Sequence, residues 1–285
     1  MAAGWCSTTT TDMVYKNILQ KTFSYSLLIM GAITMVLPFA WMVSTSLKSY
    51  SSVFIFNVNE INWIPNPIYW KNYIDVWKVV PFARFYFNSL FVCITVTLAQ
   101  VATSALAAYS FSRLRFPGRE KVFFSYLATM MIPGSVTMIP VFVLMRMFGW
   151  IDSYKALIIP AAFSAYGTFM LRQFFMTIPR DLEDAAKIDG CNYWTIFCKV
   201  ILPLSKTALA TLTVFVALGN WVSFMWPLLV TNSLEKRTLP VGLAYFQEMY
   251  QYAQPDWGLL MAGSLVTMIP IIVMFIFGQK FFVEG

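Results

Sequence analysis

The chain has 285 residues, 59% hydrophobic, 18% aromatic and only 12% charged, with a mean hydropathy of +0.65. Water-soluble domains carry about 45–50% apolar and about 25% charged residues, so this composition excludes an ordinary soluble protein and points to an integral membrane chain. A net charge of +7 without histidine removes His-based metal and acid–base chemistry, and the Lys and Arg are read by position, as markers of cytoplasmic loops, rather than as a nucleic-acid surface.

In chain order, uncharged stretches define six spans: 22–47, 85–112, 122–145, 156–171, 207–234 and 257–279. A spanning helix needs roughly 17–25 predominantly apolar residues. The fourth is short, but Arg172 at its end can snorkel and Phe174–Met176 extend its apolar run. The first is too long for the core of a signal peptide and no small-residue cleavage site follows it. The Ser/Thr-rich stretch 1–12 reads as unstructured, and Met13 offers an alternative start. The predicted organisation is a tail at 1–21, a first helix at 22–47, an external loop at 48–84, a core at 85–279 and a short C-terminus at 280–285.

Six spans place both termini on one side. The short loop 113–121 decides which, with four positive charges in nine residues, so both termini are predicted to be cytoplasmic. The external loop Lys48–Arg84 carries Trp63, Pro65, Pro67, Trp70, Tyr73 and Trp77, which suit an interfacial anchor belt or a docking surface. Pro38, Pro133, Pro140, Pro160, Pro227 and Pro270 fall inside spans and imply kinks whose freed carbonyls find other partners. The cysteines Cys6, Cys93, Cys191 and Cys198 match neither a zinc ribbon nor a redox pair.

No Asp, Glu, Lys or Arg lies near the middle of a span; Gln100, Asn88 and Asn220 are the closest polar groups. Ion-coupled transporters carry intramembrane ionisable residues, so the energy source is placed outside the bilayer. A phosphate-binding GxxxxGK[ST] loop, a GxSxG elbow and a metal motif are all missing from the sequence, which argues against an enzyme.

The most informative stretch is 177–206, between the fourth and fifth spans. Pro179 with Asp181, Glu183 and Asp184 predicts a helix start, and Gly190 a left-handed stop. A second helix is predicted over 192–202, ending at Pro203. Ala185 and Ala186 leave one side small enough for another surface to approach.

The run Asp184-Ala185-Ala186, three residues, Gly190, nine residues, Val200-Ile201-Leu202-Pro203 resembles the EAA loop of ABC importer permeases, with Asp for Glu and Val for Ile. The resemblance to the carbohydrate, maltose-permease-like branch extends over 33–285. It includes Asn88-Ser89-Leu90, Ala107-Ala108-Tyr109-Ser110-Phe111, Arg115-Phe116-Pro117-Gly118, Leu171-Arg172-Gln173-Phe174-Phe175, Trp226-Pro227-Leu228-Leu229, Arg237-Thr238-Leu239-Pro240 and Phe282-Val283-Glu284-Gly285. The chain departs from the pattern at Trp221-Val222-Ser223, where members often have Trp-Asn-Asp, and in stopping after Glu284-Gly285, where many continue.

The resemblance implies an all-α, six-helix, type I ABC importer transmembrane domain in a bacterial plasma (inner) membrane. The helix carrying Glu183, Asp184, Ala185, Ala186, Asp189 and Gly190, with Pro203 beyond it, would dock on a cytoplasmic ATPase dimer. ATP and Mg would be bound there and no cofactor by this chain. A second homologous permease and an extracytoplasmic solute-binding protein would complete the assembly, within membrane lipid and without nucleic acid. Gln100, Asn220, Trp221 and Phe224 are nominated for a solute pathway, although such residues equally pack a bundle. The implied cargo is a sugar, with glycerol phosphate or another polyol as alternative; a secondary transporter is a lesser one.

Overall fold

The computed structural model describes residues 6–50, 63–249 and 256–283, with side chains placed for 20–50, 63–249 and 256–280. Residues 1–5, 51–62, 250–255, 284 and 285 lie outside them. The described residues are helical, without strands, and form two compact units: 1–74 with 256–265, and 75–255 with 266–285.

The first unit is dominated by α1, Cys6–Ser46. The helix begins well before residue 12, because a Ser/Thr run next to a long apolar helix extends it rather than breaking it. Every side chain from Gln20 to Ala40 is exposed. A helix that is apolar all round with no protein cover is built for lipid. Its last turn is closed by side chains: Asn72 Nδ2 donates to Ser46 O and Lys48 O, both at 2.8 Å, and Ser44 donates to Trp63 O. These bonds satisfy carbonyls that a helix end leaves without partners.

The second unit is organised by α3, Phe82–Arg113, which follows the short α2, Asn72–Val79. Next come α4 (Arg119–Ala128) and α5 (Gly134–Met147), the short α6 (Tyr154–Ile158), and α7 (Ala165–Thr177). Beyond the hairpin described below lie α11 (Lys206–Trp221), α12 (Met225–Val230) and α13 (Leu239–Met249); the last helix, α14 (Trp257–Val283), is divided between the two units at residue 265. One core cluster joins Ala105, Ala108 and Tyr109 of α3 to Leu171 and Phe175 of α7 and Leu212 of α11. A second lies nearer the start of α3, around Val92, Val96, Met145, Leu157 and Val230.

Three helices among the described residues are long and apolar enough to cross a membrane: Gln20–Ser46, Phe82–Arg113 and Trp257–Lys280. Counting each sharply bent pair as one span raises this to five; the pairs are Arg119–Met131 with Gly134–Met147, bent by 100°, and Tyr193–Leu204 with Lys206–Trp221, bent by 79°. The first bend sits at Ile132, which Pro133 forces into an extended conformation. The predicted fourth span, 156–171, is not one helix. A 3-10 turn at Pro160–Ala162 and an extended Phe163 and Ser164 break it before α7. Arg172 does not snorkel either: it is buried, pairs with Glu120 at 3.1 Å and lies 4.0 Å from the Phe123 ring centroid. The charge is held inside the protein because α4 brings a carboxylate to it.

Asn88 and Ser89 fasten the loop before α13. Asn88 Nδ2 donates to Glu235 O at 2.9 Å and Arg237 O at 2.8 Å, its Oδ1 accepts from the Tyr154 hydroxyl at 2.7 Å, and Ser89 Oγ accepts from Leu239 N at 2.7 Å. Gly242 allows the close approach that follows: a Cβ there would collide with the Phe85 ring.

Asp152, at φ 58°, joins the loop after α5 to the one after α12, its Oδ1 accepting from Asn232 N, Ser233 N and Ser233 Oγ at 3.0 Å each. Burial pushes its carboxyl up, but the Ser233 and Asn232 amides, the Ser233 hydroxyl and Lys236 outweigh this and hold it below its ordinary value. A carboxylate held low stabilises the fold above its unfolded pKa of about 3.9, and that contribution is lost as pH falls through the folded value. Asp152→Asn is therefore expected to lower the unfolding temperature at neutral pH, with parent and variant converging as a thermal-shift series drops below about pH 4.

Candidate functional site

The hairpin between α7 and α11 starts with α8, Asp181–Ile188, whose first turn carries Asp181, Glu183 and Asp184 against the positive end of the helix dipole. Its end is a full Schellman motif. Gly190 sits at φ 80°, its N–H bonds Lys187 O at 3.0 Å, and Cys191 N–H bonds Ala186 O at 2.9 Å. Asn192 then caps α9, Tyr193–Ile196, its Oδ1 accepting from Thr195 N at 2.8 Å.

A π turn, Phe197–Ile201, separates α9 from α10, Leu202–Leu204, and Leu202 N–H reaches back to Phe197 O. Pro203 has no N–H and its ring would crowd a regular helix, so the wider turn accommodates it. The chain bends just beyond, at Ser205, whose buried hydroxyl donates to Ile201 O at 2.8 Å.

The hairpin is anchored from inside. Arg113, the last residue of α3, places Nε 3.0 Å from Glu183 Oε1, and their side chains are only 3% and 7% exposed. The same guanidinium donates to Ile178 O at 2.7 Å and to Phe175 O. It thus joins the end of α3, the end of α7 and the start of α8. Tyr109 adds a hydroxyl bond to Tyr193 O at 3.3 Å and a ring contact to Phe197 at 5.1 Å.

The outer side is open. Leu182 and Ile188 are exposed, Ile188 at 87%, and Tyr193 and Trp194 are exposed beside them. Asp184, Ala185, Asp189, Gly190 and Pro203 share this exposure. Lys187 hydrogen-bonds Asp184 at 2.8 Å, and that bond holds the Asp184 carboxyl below its usual range. Glu183 faces Arg113 instead, and Ala186 packs on the core cluster. The alanine pair is therefore split between the two sides of α8. Arg113, Leu182 and Ile188 join the site only in the folded structure. Leu182, Ala185 and Ile188 at three-residue spacing mark an apolar helix stripe, whereas nothing local marked Arg113 as the partner of Glu183.

The four nominated pathway residues separate. A cavity of about 350 Å³ is lined by Asn220 together with Ser89, Thr137, Ser223, Trp226 and Thr238, among others. Trp221 is buried, donates to Thr267 O at 3.1 Å and borders a different, almost wholly apolar cavity of about 600 Å³. Gln100 and Phe224, both half-buried, line neither. Ser223 and Trp226 follow Asn220 on the chain, but Ser89, Thr137 and Thr238 reach it only through the fold.

Long apolar helices, a cavity that sets Asn220 and several hydroxyls among apolar side chains, and a hairpin fastened inside and bare outside belong to a multi-pass membrane chain. The chain belongs to the family of binding-protein-dependent transport system inner membrane components, whose sequence profile matches residues 19–283. It is 32% identical over 270 residues to the sn-glycerol-3-phosphate transport system permease protein UgpE of Yersinia enterocolitica, covering 92% of this chain and 94% of that one. It is 36% identical over 198 residues to the arabinooligosaccharides transport system permease protein AraQ of Halalkalibacterium halodurans, covering 70% of each. Among solved structures, a chain of a bacterial ABC transporter involved in the import of the acidic polysaccharide alginate aligns with a TM-score of 0.84 and 26% identity, over 94% of this chain and 98% of that one.

Proposed function

We propose that this chain is the membrane-spanning, non-catalytic subunit of an ATP-driven, binding-protein-dependent importer of a sugar or sugar-like polyol, with six spans and both termini cytoplasmic. The observation that carries the reading is the two-sided α8. Its inner side is tied to α3 and α7 through Arg113, and its outer side leaves Leu182, Asp184, Ala185 and Ile188 uncovered. A groove on an ATPase subunit, where ATP and Mg bind, would cover that side. Movement of α8 would then be passed to α3 as a rigid unit, because one guanidinium holds all three helices. A second homologous permease would face the cavity beside Asn220, and a solute-binding protein would deliver the cargo from the external side.

Four hydroxyls, an amide and one indole line the cavity among apolar side chains such as Val92, Met138 and Leu157, with no Lys or Arg among the lining residues. Such a lining suits hydroxyl-rich neutral solutes, while a phosphate calls for positive charge. Glycerol phosphate is the second reading, supported by the Yersinia relative.

The test is uptake into proteoliposomes by the chain reconstituted with its co-purifying subunits, comparing labelled neutral oligosaccharides with glycerol phosphate. ATP-dependent uptake of the oligosaccharide is expected. Uptake that proceeds without any ATPase subunit would overturn the reading, and uptake of glycerol phosphate alone would replace the sugar assignment.

A further inference from the structure

The loop between α3 and α4 and the start of α8 together shape an open depression of about 550 Å³, lined by Arg115, Phe116, Arg119, Glu120, Lys121 and Arg180 among others. Its one carboxylate is already engaged: Glu120 bonds Arg119 at 2.8 Å and Arg172 at 3.1 Å. Arg119 is engaged too, through that carboxylate and through Leu114 O at 3.1 Å. Arg115, Lys121 and Arg180 are exposed and, among the described residues, make no side-chain hydrogen bond or ion pair. Three cations without an ion-paired or hydrogen-bonded partner therefore surround one concavity; Arg180 and Arg115 act on the Asp184 carboxylate only at longer range, and nothing in the anchoring of α8 uses the three.

The depression also has an apolar edge. Val122 and Phe124, directly after Lys121, are 53% and 65% exposed, and the exposed apolar run resumes at Met130, Met131 and Ile132. The segment Arg119–Met131 with Gly134–Met147 is apolar enough to be one bent span, so the exposed apolar side chains of α4 face acyl chains and the depression at its first turn lies at headgroup depth. Phe116, half-exposed among the cations, suits the same boundary. We propose that this depression binds the phosphate of an anionic phospholipid headgroup, with the acyl chains lying along Val122 and Phe124. Basic pockets at membrane surfaces recognise anionic headgroups by the charge complementarity present here. An acidic protein surface would also meet the cations, but it would not account for the apolar band running on from them. The proposal needs only that the loop lies at a membrane surface, on whichever side.

The full chain, purified with the subunits that accompany it, would be placed in phosphatidylcholine nanodiscs doped with phosphatidylglycerol, and bound lipid read by native mass spectrometry after release. The site variant is Arg115→Gln/Lys121→Gln/Arg180→Gln. A control removes three exposed cations elsewhere, Lys71→Gln/Arg146→Gln/Lys155→Gln. The parent and the control are expected to retain phosphatidylglycerol over phosphatidylcholine. The site variant is expected to lose that preference by roughly fivefold per cation, on the order of 100-fold in all. Equal loss in site and control variants would overturn the proposal as mere surface charge. Unchanged lipid retention with loss of the ATPase from the site-variant complex would reassign the patch to a protein contact. Displacement of the bound lipid by millimolar inorganic phosphate would make it a free-anion site and likewise overturn the lipid assignment.

Discussion

Arg113→Met is expected to be the most damaging single substitution in the second unit, lowering both the stability of the chain and its coupling to ATP hydrolysis. The change removes the partner of Glu183 where both side chains are almost fully buried, and it strips two carbonyls at the end of α7 of their donor. Breaking a buried ion pair from one side costs about 3–5 kcal/mol, because the remaining charge is left without compensation. The sign of a double change sets this apart from a simple loss of contact. Arg113→Met/Glu183→Met removes both charges and is expected to recover much of the thermal stability in detergent, while α8 still lacks its polar link to α3 and α7. Uptake per ATP hydrolysed should therefore stay low even where the melting temperature returns. If Arg113→Met melts like the parent and transports normally, the anchoring role is wrong.

The second large effect is expected at Gly190. Its φ of 80° lies in the left-handed region, and a Cβ added there would meet no atom within 4 Å. Any cost of substitution is thus conformational, about 1–2 kcal/mol for an ordinary residue, or borne by a docked partner. Three variants separate these. Gly190→Val should lose ATP-coupled uptake, because a β-branched residue resists this conformation and the α8–α9 angle shifts. Gly190→Asn should keep most of it, since Asn tolerates the left-handed region. Gly190→Asp tolerates the same backbone but adds a carboxylate next to the exposed Asp189, so its expected loss of uptake reports on the docking face alone. All three should reach the membrane at parental levels by immunoblot. Full coupled transport by the Val and Asp variants together would show that this turn does not carry the coupling.

Legibility in the sequence followed the range of the interaction involved. The turn at Gly190 was readable because it depends on a single residue's freedom at positive φ, and the start of α8 because its acidic first turn complements a local dipole. The bond between Asn88 and the carbonyls of Glu235 and Arg237 connects two stretches picked out separately by resemblance, with no local pattern to pair them. Of the pathway nominees, Asn220 lines the cavity it shares with Ser89, Thr137 and Thr238, and Trp221 does not. An aromatic beside an amide looks the same on paper whether its ring faces a cavity or, as here, packs against Tyr86 and donates to Thr267 O.

What the sequence by itself determined was the solvent and the periodicity: a chain this apolar belongs in lipid, and its long uncharged runs at 22–47, 85–112 and 257–279 each lie largely within one continuous helix. Hydropathy sums over a window, so it registers apolar length but not direction. The tertiary structure decided where those runs break, and which charges face inward. Pro133 and Pro160 mark interruptions rather than gentle kinks, and Arg172 and Glu183 are buried because Glu120 and Arg113 arrive from other helices to meet them. A buried charge is tolerable only beside its counter-charge, and the counter-charge stands tens of residues away along the chain.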